Sequence, residues 1–269
     1  MLNPFSLIGK TILVTGASSG IGRGIAVACA GMGARVVLTA RNKERLQETL
    51  SQMEGEEHIL IPADLTLASE RTALVSQLPL LNGVVHCAGV MNRVPCKAIG
   101  QEDISSVFQP NLEAPMLLQS ELLQDKKIQK AASIVFIASI AARSAVAGNA
   151  LYSASKAALI SYAQCLSLEL APRKIRVNCI APAMVWTDLA LVGVTKEQLM
   201  EDEKRYPLGR YGTPEDVANL SIYLLSDASS WMTGSCVDIT GGGMNCKTVG
   251  YESFCERYCI LLAGKDIDQ

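Results

Sequence analysis

Thr11-Ile12-Leu13-Val14-Thr15-Gly16-Ala17-Ser18-Ser19-Gly20-Ile21-Gly22 holds the main clue to how this chain folds. Its apolar start, Thr11 to Val14, is a short continuous run, the pattern of a strand buried on both faces. Glycines follow at Gly16-x3-Gly20-x-Gly22, and Ile25, Ala26, Cys29 and Ala30 then recur at helical spacing. Strand, glycine-rich turn and helix in that order aim backbone N–H groups and a helix N-terminus at a diphosphate. The spacing is not the commoner GxGxxG, and a flexible strand-to-helix turn is the plainer alternative.

The same unit repeats outward from there. Arg35 to Thr39 reads as a second strand, ending in Ala40-Arg41-Asn42 ahead of a helix from Lys43 to Met53. An acidic residue at this strand end would bond a ribose 2′-hydroxyl. Ala40 cannot, whereas Arg41 can pair with a 2′-phosphate or stand as a solvated arginine opening the helix. His58 to Ile61 is a third strand. Asp64, just after it, suits an adenine amino group or the cap of the next helix. Gly83 to Gly89 is a fourth strand running into a turn. A helical pattern from Glu102 to Leu123 is interrupted by Pro110, which removes an N–H and kinks the helix beside Asn111. Ser133 to Ala138 is the fifth strand, closing at Ser139, and Ile175 to Ile180 the sixth. A helix from Pro214 to Leu225 has Thr213 as N-cap and proline at its first position. Cys236 to Ile239 is the last strand. Such alternation implies one α/β domain, a doubly wound parallel sheet (Rossmann fold) of about seven strands with helices on both faces. Between Ala181 and Tyr206 apolar and charged residues mix without a clean core strand, and a mobile lid is expected over about 183–208.

Composition narrows the function. With 24 basic and 26 acidic residues among 269, the chain has no nucleic-acid footprint and no polybasic membrane face. No apolar run reaches the ~18 residues of a membrane helix, and the start of the chain carries no signal-peptide pattern. Nine cysteines without a CxxC pair, mostly inside apolar runs, point to a reducing cytoplasm.

Tyr152-Ser153-Ala154-Ser155-Lys156 carries the chemistry. Residues four apart share a helix face, and an ammonium one turn away is expected to lower the phenol from its usual pKa of about 10. That suits a general acid near neutral pH. The pair alone is a weak signal. Ser139 precedes Tyr152 by 13 residues, and Asn111 completes an Asn-Ser-Tyr-Lys set.

Together with the turn at 15–22, these motifs make residues 8–243 resemble the short-chain dehydrogenase/reductase family, most closely its 3-oxoacyl-carrier-protein reductase type. The resemblance implies an NADP(H)-dependent oxidoreductase acting between a secondary alcohol and a ketone. Tyr152 would be the general acid, Ser139 would bond the same oxygen, and Lys156 would tune Tyr152 and bond the nicotinamide ribose. Asn111 would hold a water leading to solvent. The cofactor would lie on Gly16, Ser18, Ser19, Gly20, Ile21 and Gly22, with Arg41, Asp64, Leu65, Ala88, Gly89, Tyr152 and Lys156. Pro182 to Thr187, through Val185 and Thr187, would cradle the nicotinamide. No metal is implied. The family also implies a homo-oligomer, commonly a tetramer, cytoplasmic and serving fatty acid biosynthesis.

Substrate choice falls to Val90, Met91, Ala141, Ala142, Met184, Trp186 and Leu189, with Arg93 and Arg143 as nearby cations. This apolar set suits an acyl thioester, or in the alternative a steroid-like or other bulky alcohol. Lys126, Lys127 and Lys130 are candidates for docking a carrier protein. Cys87 stands where the family usually has an asparagine that braces backbone, which puts local rigidity in question and leaves a catalytically idle dinucleotide sensor as a second class of reading. Residues 244–269 extend beyond the resemblance. Their Cys246, Cys255 and Cys259 could begin a metal site, though a helix packing Phe254, Tyr258, Leu261 and Leu262 is the plainer reading.

Overall fold

The computed structural model describes residues 3–191 and 195–243 of the chain; the tail cysteines and the proposed tail helix lie outside them. Seven strands form one parallel sheet in the order β3-β2-β1-β4-β5-β6-β7. They are β1 Thr11–Thr15, β2 Arg35–Thr39, β3 Ile59–Leu60, β4 Leu81–His86, β5 Ile128–Ile137, β6 Arg176–Pro182 and β7 Cys236–Ile239. Strand residues alternate between two cores. Leu13, Val37, Val84, Ile134, Phe136, Val177 and Cys179 face one side, and Ile12, Val14, Val36, Leu38, Val85, Val135 and Ile180 the other. That double burial is why the strands read as unbroken apolar runs.

Helices α3 (Ala68–Gln77), α5 (Ala114–Gln124) and α6 (Ala150–Leu170) cover the first face. Helices α1 (Gly20–Gly31), α2 (Lys43–Leu50) and α8 (Pro214–Leu225) cover the second. Among the described residues the fold is thus a single-domain, doubly wound α/β sheet. The chain winds outward from β1 to β3, then crosses to β4, so the winding reverses between β1 and β4. Ligand crevices of such sheets open there, beyond the carboxyl ends of the strands.

Several boundaries differ from expectation. β3 is only two residues long, because the His58 ring takes a place a strand carbonyl would fill: its Nδ1 accepts from Val36 N at 3.1 Å. α2 stops at Leu50 rather than Met53. The Glu102–Leu123 pattern resolves into α4 (Gln101–Phe108), a π-helical turn Gln109–Glu113, and α5. Pro110 lies inside that turn, whose widened spacing absorbs the missing N–H.

The segment after β6 departs most. It contains α7 (Lys196–Glu203), with a capping box in which Thr195 and Gln198 bond each other's backbone amides. It also has a small core of its own, Ala190, Leu199, Tyr206 and Tyr211, against which Met184 and Trp186 pack. As expected, no strand follows β6 here; the helix α7 was not expected, because it presents few apolar residues and its buried face is completed by aromatic residues later in the chain.

Candidate active site

Beyond the carboxyl ends of β1, β4, β5 and β6 lies a cleft of about 1400 Å³. Every residue expected at the cofactor lines it, from Gly16 and the serines to Thr187, and so do Ser139, Tyr152 and Lys156. Asn111 sits just behind its wall.

The glycine turn is shaped by close approach. Gly16 has φ +66°, and a Cβ there would meet Ala88 backbone at 2.9 Å; one on Gly22 would meet the Gly16 carbonyl oxygen at 2.2 Å. No side chain can stand at either position, so the start of α1 is open to the cleft. Among the described residues Ser19 caps α1 without a side-chain bond, and the first turn has no acid. That leaves its N–H groups and positive dipole end available to an anion. A dinucleotide's diphosphate fits this donor set.

At the next strand end, Arg41 and Arg45 both line the cleft. Arg45 was not anticipated from the sequence. It ion-pairs Asp188 across the cleft at 3.0 Å, a contact between residues 143 positions apart that no local pattern reveals. Asp64 does not cap α3, whose N-cap is Leu67. Its Oδ1 accepts instead from Thr66 N at 3.0 Å and Thr66 Oγ1 at 2.7 Å. Burial would raise its pKa, but those two bonds and the Arg41 charge outweigh it and hold the carboxyl below its usual value.

At Cys87 the backbone is held from another side. The Thr15 hydroxyl accepts from Cys87 N at 3.0 Å and Ala88 N at 3.1 Å, bracing the backbone from beneath. Gly89 leaves room for two neighbours at once, Asn111 Oδ1 and Lys156 Nζ. Asn111 is fully buried in the π-helical turn and clamps Val90: its Oδ1 accepts from Val90 N at 2.7 Å and its Nδ2 donates to Val90 O at 2.9 Å. Nδ2 also reaches Ser155 Oγ at 3.2 Å.

Tyr152, on α6, lies close enough to Ser139 for that hydroxyl to favour its ionised form. Ser139 opens a short 3-10 turn after β5, where its Oγ accepts from Ala141 N at 3.1 Å. Lys156 Nζ donates to Ile137 O at 2.8 Å and lies 5.7 Å from the centre of the Tyr152 ring. Burial pushes the lysine down to about 8. Burial also raises the Tyr152 pKa, and Ser139 pulls it only part of the way back. The expected lowering of the phenol by Lys156 is not found, because the ammonium faces the ring and a carbonyl rather than the hydroxyl.

Substrate-end residues divide. Val90, Met91, Arg93, Ala141, Met184 and Leu189 line the cleft; Ala142, Arg143 and Trp186 do not. Trp186 turns into the small core and donates from Nε1 to Glu203 Oε2 at 2.7 Å. Arg143 turns to β7, where it pairs with Asp238. Asn149, one turn before Tyr152, was missed by sequence reasoning; it is 6% exposed, lines the cleft, and its Oδ1 has no hydrogen-bond partner among the described residues. Lys126, Lys127 and Lys130 lie at the amino end of β5. Seven to ten residues of strand at about 3.3 Å each separate them from the cleft, so they do not form its rim.

The profile of the family described as Enoyl-(Acyl carrier protein) reductase matches residues 16–244. A 3-oxoacyl-[acyl-carrier-protein] reductase of Rickettsia felis is 35% identical over 236 residues, covering 88% of this chain and 97% of that protein. A short-chain type dehydrogenase/reductase from Mycobacterium marinum superposes with a TM-score of 0.83 at 30% identity, covering 90% of this chain and 98% of that one. A Beutenbergia cavernae structure with NADP bound at low occupancy gives 0.80 at 32% identity, with 89% and 98% covered.

Proposed function

This chain belongs to the short-chain dehydrogenase/reductase family, and from that premise we propose that it is an NADP(H)-dependent reductase of a ketone carried as a 3-oxoacyl thioester. The observation that carries the proposal is the convergence of Ser139, Tyr152 and buried Lys156 on one cleft.

When bound, NADPH supplies the hydride. Arg41 and the open N-terminus of α1 hold its phosphates, and Asp64, Leu65, Ala88 and Gly89 flank the rest. Val185 and Thr187 orient the reacting ring. A tyrosine raised by burial keeps its proton at neutral pH, as a general acid in the reducing direction must. Tyr152 Oη gives that proton to the substrate oxygen while Ser139 Oγ donates a hydrogen bond to the same oxygen and stabilises its developing charge. Lys156, pushed by burial down to about 8, takes up and releases a proton near neutrality and serves as the proton store of the site. Asn111 holds the Val90 turn against which Lys156 is set. Two oxygen-directed groups favour carbonyl reduction over addition to a carbon–carbon double bond.

The thioester is supported by the related reductase and by an apolar substrate end; a bulky ketone or alcohol remains the second reading, favoured by the volume of the cleft. The working form is a cytoplasmic homo-oligomer, with exposed Leu117 on α5 and Leu168 on α6 as contact residues and 244–269 as an appendage to the domain 1–243. No described helix is long and apolar enough to cross a membrane.

The test is NADPH consumption with acetoacetyl thioester. Tyr152→Phe should lower turnover by about 10²–10⁴-fold while NADPH still binds. Undiminished turnover in that variant would refute the mechanism. Equal rates with NADH would refute the role of Arg41, and tight NADPH binding without turnover of any ketone would favour an idle sensor.

A further inference from the structure

β6 and β7 set two thiols side by side. Cys179 and Cys236 are register partners on these adjacent parallel strands, so their side chains leave the sheet on the same face. Neighbouring strands lie about 4.8 Å apart, inside the Cα separation of roughly 4.4–6.8 Å that a disulfide spans. Cys179 is buried and Cys236 partly exposed. The two thiols bear on each other's ionisation: Cys236 and burial raise the Cys179 pKa, while Cys179 draws Cys236 toward thiolate against the opposing effect of burial. Arg143 Nη2 stands 3.9 Å from Cys236 Sγ and favours that charge, while Asp238, the ion-pair partner of Arg143, acts against it. Two other cysteines, Cys29 and Cys87, are pushed by burial up to about 12. One sulfur poised as a nucleophile near the surface, a cation beside it and a protonated thiol behind it is the layout of a reactive dithiol.

We propose that Cys236 and Cys179 form a reversible oxidation site for hydroperoxides, with Cys236 as nucleophile, Cys179 as resolving thiol and Arg143 as the activating cation. The Cys236 thiolate attacks the terminal peroxide oxygen; the O–O bond breaks, the alcohol leaves with one proton, and Cys236 becomes a sulfenic acid. The Cys179 sulfur then attacks the Cys236 sulfur, the S–O bond breaks, and the hydroxyl leaves as water with the Cys179 proton. In sum, two thiols and one hydroperoxide give a disulfide, an alcohol and water. A dithiol reductant reverses the step. A bridge between directly opposed strand residues departs from ideal disulfide geometry, which favours that reversal.

The site adjoins the chemistry without sharing its atoms. The Cys179 sulfur lies near enough to bear on the Lys156 charge. β6 continues directly into Pro182, and the Ile239 carbonyl at the end of β7 accepts from Ala183 N at 2.9 Å. A bridge would thus tie together the two strands that lead into the nicotinamide cradle.

The test treats the full, reduced chain with one equivalent of hydrogen peroxide, blocks remaining thiols with N-ethylmaleimide and maps the peptides by mass. The expected product is a Cys179–Cys236 cross-link lighter by two hydrogens and restored by dithiothreitol. Cys179→Ser should leave Cys236 as a sulfenic acid that dimedone traps, and Arg143→Gln should slow Cys236 oxidation about tenfold. The proposal is overturned if Cys236 stays reduced while exposed Cys96 or Cys165 reacts, if Cys236 pairs with a cysteine other than Cys179, or if Arg143→Gln leaves its rate unchanged. None of these readouts depends on which ketone the enzyme reduces.

Discussion

On one side of the cleft, β1, β2 and β4 are held by continuous backbone ladders and by apolar side chains buried on both faces. On the other, the stretch from Ala183 to Tyr211 closes on a few residues and on bonds between aromatic rings and carboxylates. Tyr211 Oη donates to Asp202 Oδ2 at 2.6 Å, and Trp186 Nε1 donates to Glu203. A two-residue bridge, Val185 with Gly212, ties this side to the chain ahead of α8. The first wall belongs to the cooperative core. The second rests on a small cluster of its own, so its opening is expected to cost less than that of the core.

The largest expected effect breaks the first wall. Gly22→Ala forces a Cβ onto the Gly16 carbonyl, backbone against backbone, and should cost about 3 kcal/mol or more. Gly31→Ala, at the far end of the same helix with nothing within 4 Å of the new carbon, should be neutral or slightly stabilising. Denaturant melts of both would check this; equal losses would mean that helix propensity rather than the tight turn is at issue.

Next comes the buried lysine. Its folded pKa near 8 lies below its unfolded value of about 10.4. Between those values the unfolded chain holds a proton the folded one has lost, so this group makes stability rise with pH, by on the order of 3 kcal/mol from about pH 8 to 10.4. Below pH 8 the folded state bears the full cost of the charge. Lys156→Met should remove that rise in the cofactor-free protein while abolishing turnover. A pH-stability curve unchanged by the substitution would mean that Lys156 is better solvated than its surroundings indicate.

Tyr211→Phe sharpens the contrast from the other side. Loss of the Asp202 bond should cost about 1–2 kcal/mol, expressed as faster amide exchange across 195–211 with β1 and β4 protected as before. The KM for the ketone should rise more than that for NADPH. Exchange that quickens in both walls together would erase the distinction. Smallest is Asp188→Asn, which cuts the exposed Arg45 pair joining the walls. It should change stability by less than about 0.5 kcal/mol, measured by denaturant melts; a larger change would make that pair a true latch.

Legibility in the sequence follows the same divide. β1, β2, β7 and α8 fall where apolar runs, glycines and the Thr213-Pro214 start place them, because each signal acts within a few residues. The residues expected at the cofactor line the cleft for that reason. α7 was not readable, since its inward face relies on Asp202 meeting a tyrosine nine residues later. Arg45 and Asn149 escaped because only the folded chain brings them to the cleft. The Tyr152–Lys156 spacing gave the right neighbours but the wrong direction for the phenol, since spacing carries no information about how dry the site is.

The π-helical turn at Gln109–Glu113 makes the length of this chain, and not only its composition, a property of the site. A π turn amounts to one extra residue threaded into an α-helix. Deleting Pro110 would remove that extra residue, leaving Pro115 as the remaining gap in the bonding from Gln101 to Gln124, yet it would swing everything beyond the cut by about 100°. Glu121, which now meets Arg71 on α3 at 3.0 Å, would turn away, and Asn111 would lose its hold on Val90. A more regular helix here would be a worse enzyme, so a redesign that scores regularity would remove the irregularity on which the site is set.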